Sequence, residues 1–273
     1  MEKIALPQKI EFVKGLKTNN KQIIIEPCYP GYGATIGNAL RRVLLSSLPG
    51  AAVVGVKIKG ANHEFMTLPH VKEDILELTL NLKKLRLKVF SDEIVKIELD
   101  ARGEKEVKAS DIKKNSLVEI ANPDLVLGHV TDMAGNLSME IFVSQGSGYV
   151  TVESREGAKN EIGYIEMDSI FSPILSVGVN IENVRIGKMT NWDKLVLDVV
   201  TDGTITPEDA FYKSVDILIG QFNALVKEPK KEEVEIKTEK TEVKEKSKAE
   251  EADEADKDDE DKKSKKRGRP KKS

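Results

Sequence analysis

The 273-residue chain carries 43 Lys and Arg against 46 Asp and Glu. The 45 residues from Pro229 onward hold 16 basic and 15 acidic side chains, leaving the first 228 residues with 27 and 31, so the body lacks the basic excess of a nucleic-acid-binding fold. One cysteine, Cys28, excludes an intrachain disulfide and a multi-thiolate zinc site, and no run of about 18 apolar residues offers a membrane-spanning helix.

The N-terminal stretch Met1–Pro7 lacks the apolar run of a signal peptide. With sparing cysteine use this leads us to expect a protein of the reducing cytoplasm, with no membrane contact. The body is long enough to bury a substantial core in one or two domains.

Ile10–Val13 and Gln22–Glu26 are rich in β-branched residues and are predicted as strands, turned at Asn19-Asn20. A glycine-punctuated entry, Gly31-Tyr32-Gly33-Ala34-Thr35-Ile36-Gly37, then leads into a predicted helix. Ile36, Leu40, Val43, Leu44 and Leu48 form its apolar stripe, Arg41 and Arg42 interrupt it, and Pro49-Gly50 stops it. A guanidinium beside such a stripe stays out of the core unless something pairs with it. Val53–Ile58 is predicted as a strand. A second helix is expected after Pro69, with Val71, Ile75, Leu78 and Leu82 at helical spacing and acids in its first turns.

From Leu85 to about Val152 the texture becomes β-rich, with alternating runs at Leu85–Val89, Ile94–Leu99, Leu117–Ile120, Leu125–Val130 and Met139–Val143. Ile174–Ile186 and Lys194–Val200 are further strands, the second with Leu195, Leu197 and Val199 on one face. Thr206 as N-cap, Pro207 at the first helical position and Asp209 at the capping-box position open a long helix that runs to about Val226. Its stripe is Phe211, Val215, Leu218, Phe222 and Leu225. Both long helices read as core helices, and their wide stripes also suit a dimer. The segment after Pro229 is mostly charged, with Val234, Ile236 and Val243 as its large apolar residues, and is expected to be disordered.

Chemistry is sparse. The glycines fall as G-x-G-x-x-x-G, and Pro27 and Pro30 separate them from the strand, which spoils a pyrophosphate turn. They read better as a turn that permits close packing, and no cofactor is expected. His63, His70 and His129 have no zinc spacing, so no metal is expected. Glu73, Asp74 and Glu77 read as helix-dipole partners or a partner-facing acidic surface. No catalytic arrangement stands out. In the tail, Arg267-Gly268-Arg269-Pro270 sits among lysines and resembles an AT-hook. Two arginines flanking a glycine fit the narrow minor groove of A·T-rich DNA.

The string Gly37-Asn38-Ala39-Leu40-Arg41-Arg42-Val43-Leu44-Leu45-Ser46-Ser47-Leu48-Pro49-Gly50-Ala51-Ala52-Val53 strongly resembles the α subunit of bacterial-type DNA-directed RNA polymerase. Further stretches resemble it in the same order: His63–Phe65 with Val71–Glu77 and Leu80–Lys83, then Gly148–Val150, Phe171–Pro173, Asp193–Leu195 and Asp202–Ala210. The resemblance covers residues 1–228 and implies an α+β fold. It implies a dimerisation subdomain, 1–50 and 175–228, with two long helices on a sheet. An inserted β-rich subdomain would span 51–174, followed by a disordered charged tail, 229–273.

The implied role is a homodimeric, non-catalytic assembly platform for the β and β′ subunits within the holoenzyme, a nucleotidyltransferase whose active site lies in those large subunits. Carried over by position, Arg42, Leu45, His63, Glu64, Phe65, Lys72, Glu73 and Asp74 would meet the β subunit. Lys83, Ser172, Pro173, Ile174, Asp193 and Lys194 would meet β′. Leu40, Val43, Leu44, Phe211, Val215, Leu218 and Phe222 would form the dimer interface. The family usually continues into a small helical DNA-binding domain, and the residues after 228 show no periodicity for one. Arg267, Gly268, Arg269 and Pro270 would supply a minimal contact to A·T-rich upstream DNA, in a nucleoid-associated complex. The alternative is a scaffold or chromatin-type DNA-binding protein that acts through the tail alone.

Overall fold

The computed structural model describes residues 4–15, 19–155 and 162–226. The first hairpin forms where the β-branched residues predict it: β1 (Lys9–Lys14) pairs antiparallel with β2 (Asn20–Cys28), Phe12 opposite Ile23. Helix α1 (Tyr32–Ser46) follows, and Pro49-Gly50, expected only to stop it, begins β3 (Pro49–Ile58).

Helix α2 (Ile75–Leu82) starts later than Pro69 predicts. His70 takes a left-handed φ of 63° and Val71 bridges to Val130, so this segment is tied to a neighbouring strand before the helix begins. Asp74 is the true N-cap, its carboxylate accepting the Glu77 amide at 2.6 Å.

The β-rich middle comprises β4 (Leu87–Val89), β5 (Val95–Arg102), β6 (Lys105–Lys108), β7 (Val118–Ile120), β8 (Val126–Val130), β9 (Asn136–Ser147), β10 (Tyr149–Val150), β11 (Tyr164–Glu166) and β12 (Ser169–Ile170). Strand β6 has no apolar residue but Val107, which is fully buried, so no run marks it in the sequence. Then come β13 (Ile174–Ile186), β14 (Met189–Thr201) and α3 (Pro207–Leu225). At the start of α3 the Asp209 amide donates to Thr206 Oγ1 at 3.1 Å, and that hydroxyl donates to Asp209 Oδ2 at 2.7 Å.

One antiparallel sheet has the order β1-β2-β14-β13, and another has the order β11-β3-β9-β5. On the first sheet Ile23, Ile25, Leu195, Leu197 and Val199 face inward and are buried with Leu40, Leu44 and Leu48 of the α1 segment and Ala210 and Phe211 of α3. Phe12 meets Phe211 edge-on, with ring centroids 6.0 Å apart, and Lys21 pairs with Glu208, which holds α3 to the β1–β2 hairpin. The larger core draws on residues between Val53 and Met167, where Ile75, Leu78 and Leu82 of α2 pack with apolar residues of β3, β5 and β9. Each fully buried Leu or Ile of this kind stabilises the fold by about 1.5–3 kcal/mol relative to its exposed state. By contacts the chain divides into Met1–Gln221 and Phe222–Ser273, the latter described only for residues 222–226.

Candidate functional site

The glycine entry is occupied by the chain itself. Gly31 adopts φ 84°, a conformation that favours glycine. The amides of Gly31 and Gly33 donate to Asp193 Oδ2 at 2.9 and 3.0 Å. The positive end of α1 is therefore neutralised by a carboxylate from β14, leaving no cradle there for a pyrophosphate. Asp193, expected to face β′, is buried and turned to this internal use. A Cβ at Gly37 would come within 2.8 Å of Leu195 and 2.9 Å of Val179, so the third glycine sets how closely α1 lies on the sheet. Beneath it, burial pushes the Cys28 thiol up, with the Asp193 charge adding to the effect.

The same helix sends a different set outward. Arg42 is exposed, and its guanidinium has no hydrogen-bond or ion-pair partner among the described residues. Leu45, one turn from Arg41, is also exposed. A fork of donors beside an exposed leucine suits a partner that supplies a carboxylate and an apolar contact together.

The acidic cluster before α2 separates on folding. Glu73 Oε2 accepts the His129 backbone amide at 2.7 Å, and Oε1 lies 2.5 Å from His129 Nδ1. Burial works against the Glu73 carboxylate, but the side-chain and backbone hydrogen bonds of His129 outweigh it and hold its pKa below the usual value. Asp74 caps α2. Glu64 is half-buried, while His63, Phe65 and Lys72 point to solvent, with Phe65 76% exposed. Leu76, within the Val71–Glu77 stretch that the resemblance assigned to β, and Leu80, one turn on along α2, are exposed as well; their i,i+4 spacing marks a second apolar face. Among the described residues no group of three or more His, Cys, Asp or Glu gathers as a metal site.

Of the residues assigned to β′, Lys83 pairs with Asp168 at 3.3 Å. The Val152 amide holds Asp168 below the ordinary carboxyl range against partial burial, and Lys83 adds to this. Lys194 pairs with Glu182 at 3.1 Å. Pro173 and Ile174 are buried and Ser172 half-buried, so in that stretch it is Leu175 that reaches solvent.

Of the dimer residues, Leu40, Leu44 and Phe211 lie inside the chain's own core, while Val43, Val215 and Leu218 are half-buried. Phe222 is 60% exposed, and Tyr212, Ile219 and Leu225 of the same helix are exposed with it. Arg267, Gly268, Arg269 and Pro270 lie outside the described residues. Among the described residues no helix is long and apolar enough to cross a membrane.

Residues 56–172 match the family described as the RNA polymerase Rpb3/RpoA insert domain. The α+β fold and this insert define a subunit of the polymerase-assembly class. The chain is 45% identical over 219 residues to the DNA-directed RNA polymerase subunit alpha of Carboxydothermus hydrogenoformans, a match that covers 80% of this chain and 70% of that protein. It is 47% identical over 211 residues to the subunit of the same name from Desulforamulus reducens, covering 77% and 67%. Over 205 residues it is 47% identical to that of Nitratidesulfovibrio vulgaris, covering 75% and 59%. The chain belongs to the family of bacterial DNA-directed RNA polymerase alpha subunits.

Proposed function

We propose that this chain acts in the bacterial cytoplasm as a non-catalytic platform. Two copies pair through half-buried Val43 of α1 and the exposed apolar residues of α3, and the pair recruits one β and one β′ subunit. Residues 1–50 and 175–228 form the pairing subdomain, and 51–174 form the insert. The observation that carries this reading is Arg42, a guanidinium unpaired among the described residues, beside exposed Leu45 on a helix whose other face is buried. Phe65, His63 and Lys72 extend the surface offered to the β subunit. Lys83, Leu175 and Lys194 serve β′ on the other copy. Glu73, Asp74 and Asp193 support these surfaces from within rather than touching a partner.

Capture of the β subunit by the purified full-length chain tests the platform. Arg42→Ala is expected to leave the pair of α chains intact and to lower β capture at least tenfold, the order of a lost desolvated charge contact. Unchanged capture by Arg42→Ala would reject the role given to this arginine. We further propose that Arg267, Gly268, Arg269 and Pro270 contact A·T-rich upstream DNA. Equal binding of A·T-rich and G·C-rich duplexes, with and without residues 262–273, would reduce that segment to a nonspecific basic end.

A further inference from the structure

Strands β4 and β7 form a two-stranded antiparallel sheet, with Leu87 opposite Ile120, Lys88 opposite Glu119 and Val89 opposite Val118. The Phe90 amide donates to the Leu117 carbonyl at 2.9 Å, and the Ala121 amide to the Arg86 carbonyl at 2.8 Å. Hydrogen-bonded pairs alternate along an antiparallel ladder, so Glu119 turns its backbone groups to β4, while Val118 and Ile120 turn theirs away. The Val118 amide donates to the Asn115 carbonyl at 3.3 Å. The Val118 carbonyl and both backbone groups of Ile120 have no partner among the described residues. The far side of β4 is closed, since the Val89 carbonyl accepts from Gln145 Nε2 at 2.7 Å. The open edge is therefore that of β7, and an open edge is a template for another strand.

A groove of about 470 Å³ follows this edge. Ile97, Ala109 and Ile112 line it and are buried, and Val118 and Ile120 line it half-buried. Phe90 lines it too and is 63% exposed, and Leu117, which bonds its amide, is exposed with it. Among the described residues Glu119 is the acid of the lining, and it stands 4.0 Å from Lys88 across the sheet. Asp111, beside the wall, is held by Lys105 at 3.1 Å and by the Lys108 amide at 2.9 Å. Lys113 is paired with Glu98 at 2.9 Å, but Lys114 is exposed and has no partner among the described residues. The charge left uncommitted on the groove is thus positive.

The shape and chemistry select the occupant. Nucleic acid would find aliphatic walls, one aromatic ring and few cations, and has no groups to continue a β-ladder. A second copy that paired β7 with β7 in full register would set Glu119 opposite Glu119, which is repulsive. An extended peptide matches all three features: its backbone completes the edge, apolar side chains two positions apart fall in line with Val118 and Ile120, and a flanking carboxylate meets Lys114.

We propose that the β7 edge and its groove are a docking site for an extended segment of a partner protein, one that carries alternate apolar residues flanked by acids and binds by strand addition. The site lies in the insert and does not depend on the capture of either large subunit.

The test titrates the full-length chain into a fluorescently labelled synthetic peptide and follows anisotropy. The peptide has two valines two positions apart, a threonine between them and glutamates on either side. We expect saturable binding. Lys114→Glu should weaken it about fivefold, because an attractive charge contact becomes a repulsive one, with the melting temperature of the free chain unchanged. A peptide flanked by lysines should bind more weakly by about the same factor, and one N-methylated at both valines should not bind, since it cannot extend the ladder. Absence of saturable binding overturns the proposal. So does equal binding of the glutamate- and lysine-flanked peptides, undiminished binding by Lys114→Glu, or full binding of the N-methylated peptide. Displacement of the peptide by oligothymidylate would give the groove to nucleic acid, and a lower oligomeric state of the free Phe90→Asp chain would give it to a second copy; either overturns the proposal.

Discussion

Charged side chains that look alike in the sequence have opposite uses once placed. Glu73 and Asp193 are spent inside the chain, while the Arg42 guanidinium has no partner among the described residues. Glu73 carries a prediction of its own. Its folded pKa lies below the ordinary carboxyl value near 4.5, so its stabilising contribution is complete above that pH and is lost as pH falls through the depressed folded value. The backbone amide of His129 does not titrate, so part of the hold survives whatever the state of the imidazole. Glu73→Gln should cost about 1–3 kcal/mol at pH 7, the cost of disrupting a buried hydrogen-bonded group. It should also flatten the loss of stability that wild type shows below about pH 4.5. Urea melts at neutral and acid pH check this; parallel pH profiles for variant and wild type would deny Glu73 the role.

At the scale of elements, periodicity served well wherever one face is buried. The alternation of β14 and the stripe of α1 appear in the structure with the burial they predict, whereas the stripe of α3 is buried only toward its start, with Phe222 and Leu225 exposed. It failed for β6, whose single buried valine is chosen by pairing with β8. It failed also for the start of α2, where a bridge to Val130 overrode the helix-starting preference of Pro69. The Asp74-x-x-Glu77 spacing was the available signal for the true start.

Glycine roles divide by the same logic of near and far partners. A Cβ at Gly31 would meet nothing within 4 Å, so Gly31→Ala should cost only the left-handed strain, about 1–2 kcal/mol. A Cβ at Gly50 would lie 1.9 Å from the Phe171 carbonyl oxygen, where β3 abuts the turn leading to β13. Gly50→Ala should therefore cost more, about 3 kcal/mol or above, or leave the chain insoluble, because a backbone atom cannot step aside. Comparable urea midpoints for the two variants would refute this ranking.

For the whole molecule, the helical stripes serve two ends that the sequence could not apportion. Leu44 is fully buried in the chain's own core, whereas Phe222 is largely exposed. Leu44→Asp is therefore expected to unfold the chain, at a cost of several kcal/mol for a buried unpaired charge. Phe222→Asp should leave folding intact and separate the pair into single chains. Light scattering after size exclusion, beside a thermal melt, distinguishes them; a soluble dimer of Phe222→Asp would move the pairing surface elsewhere.

The sequence by itself determined the strands and helices whose neighbours lie close along the chain, the α+β class and the family, because caps, alternation and short strings are local. Tertiary structure alone decided which charges face inward. Asp193 reaches Gly31 across 162 residues and Glu73 reaches His129 across 56. A carboxylate's use depends on what the fold brings within hydrogen-bond distance, and spacing along the chain carries no record of that.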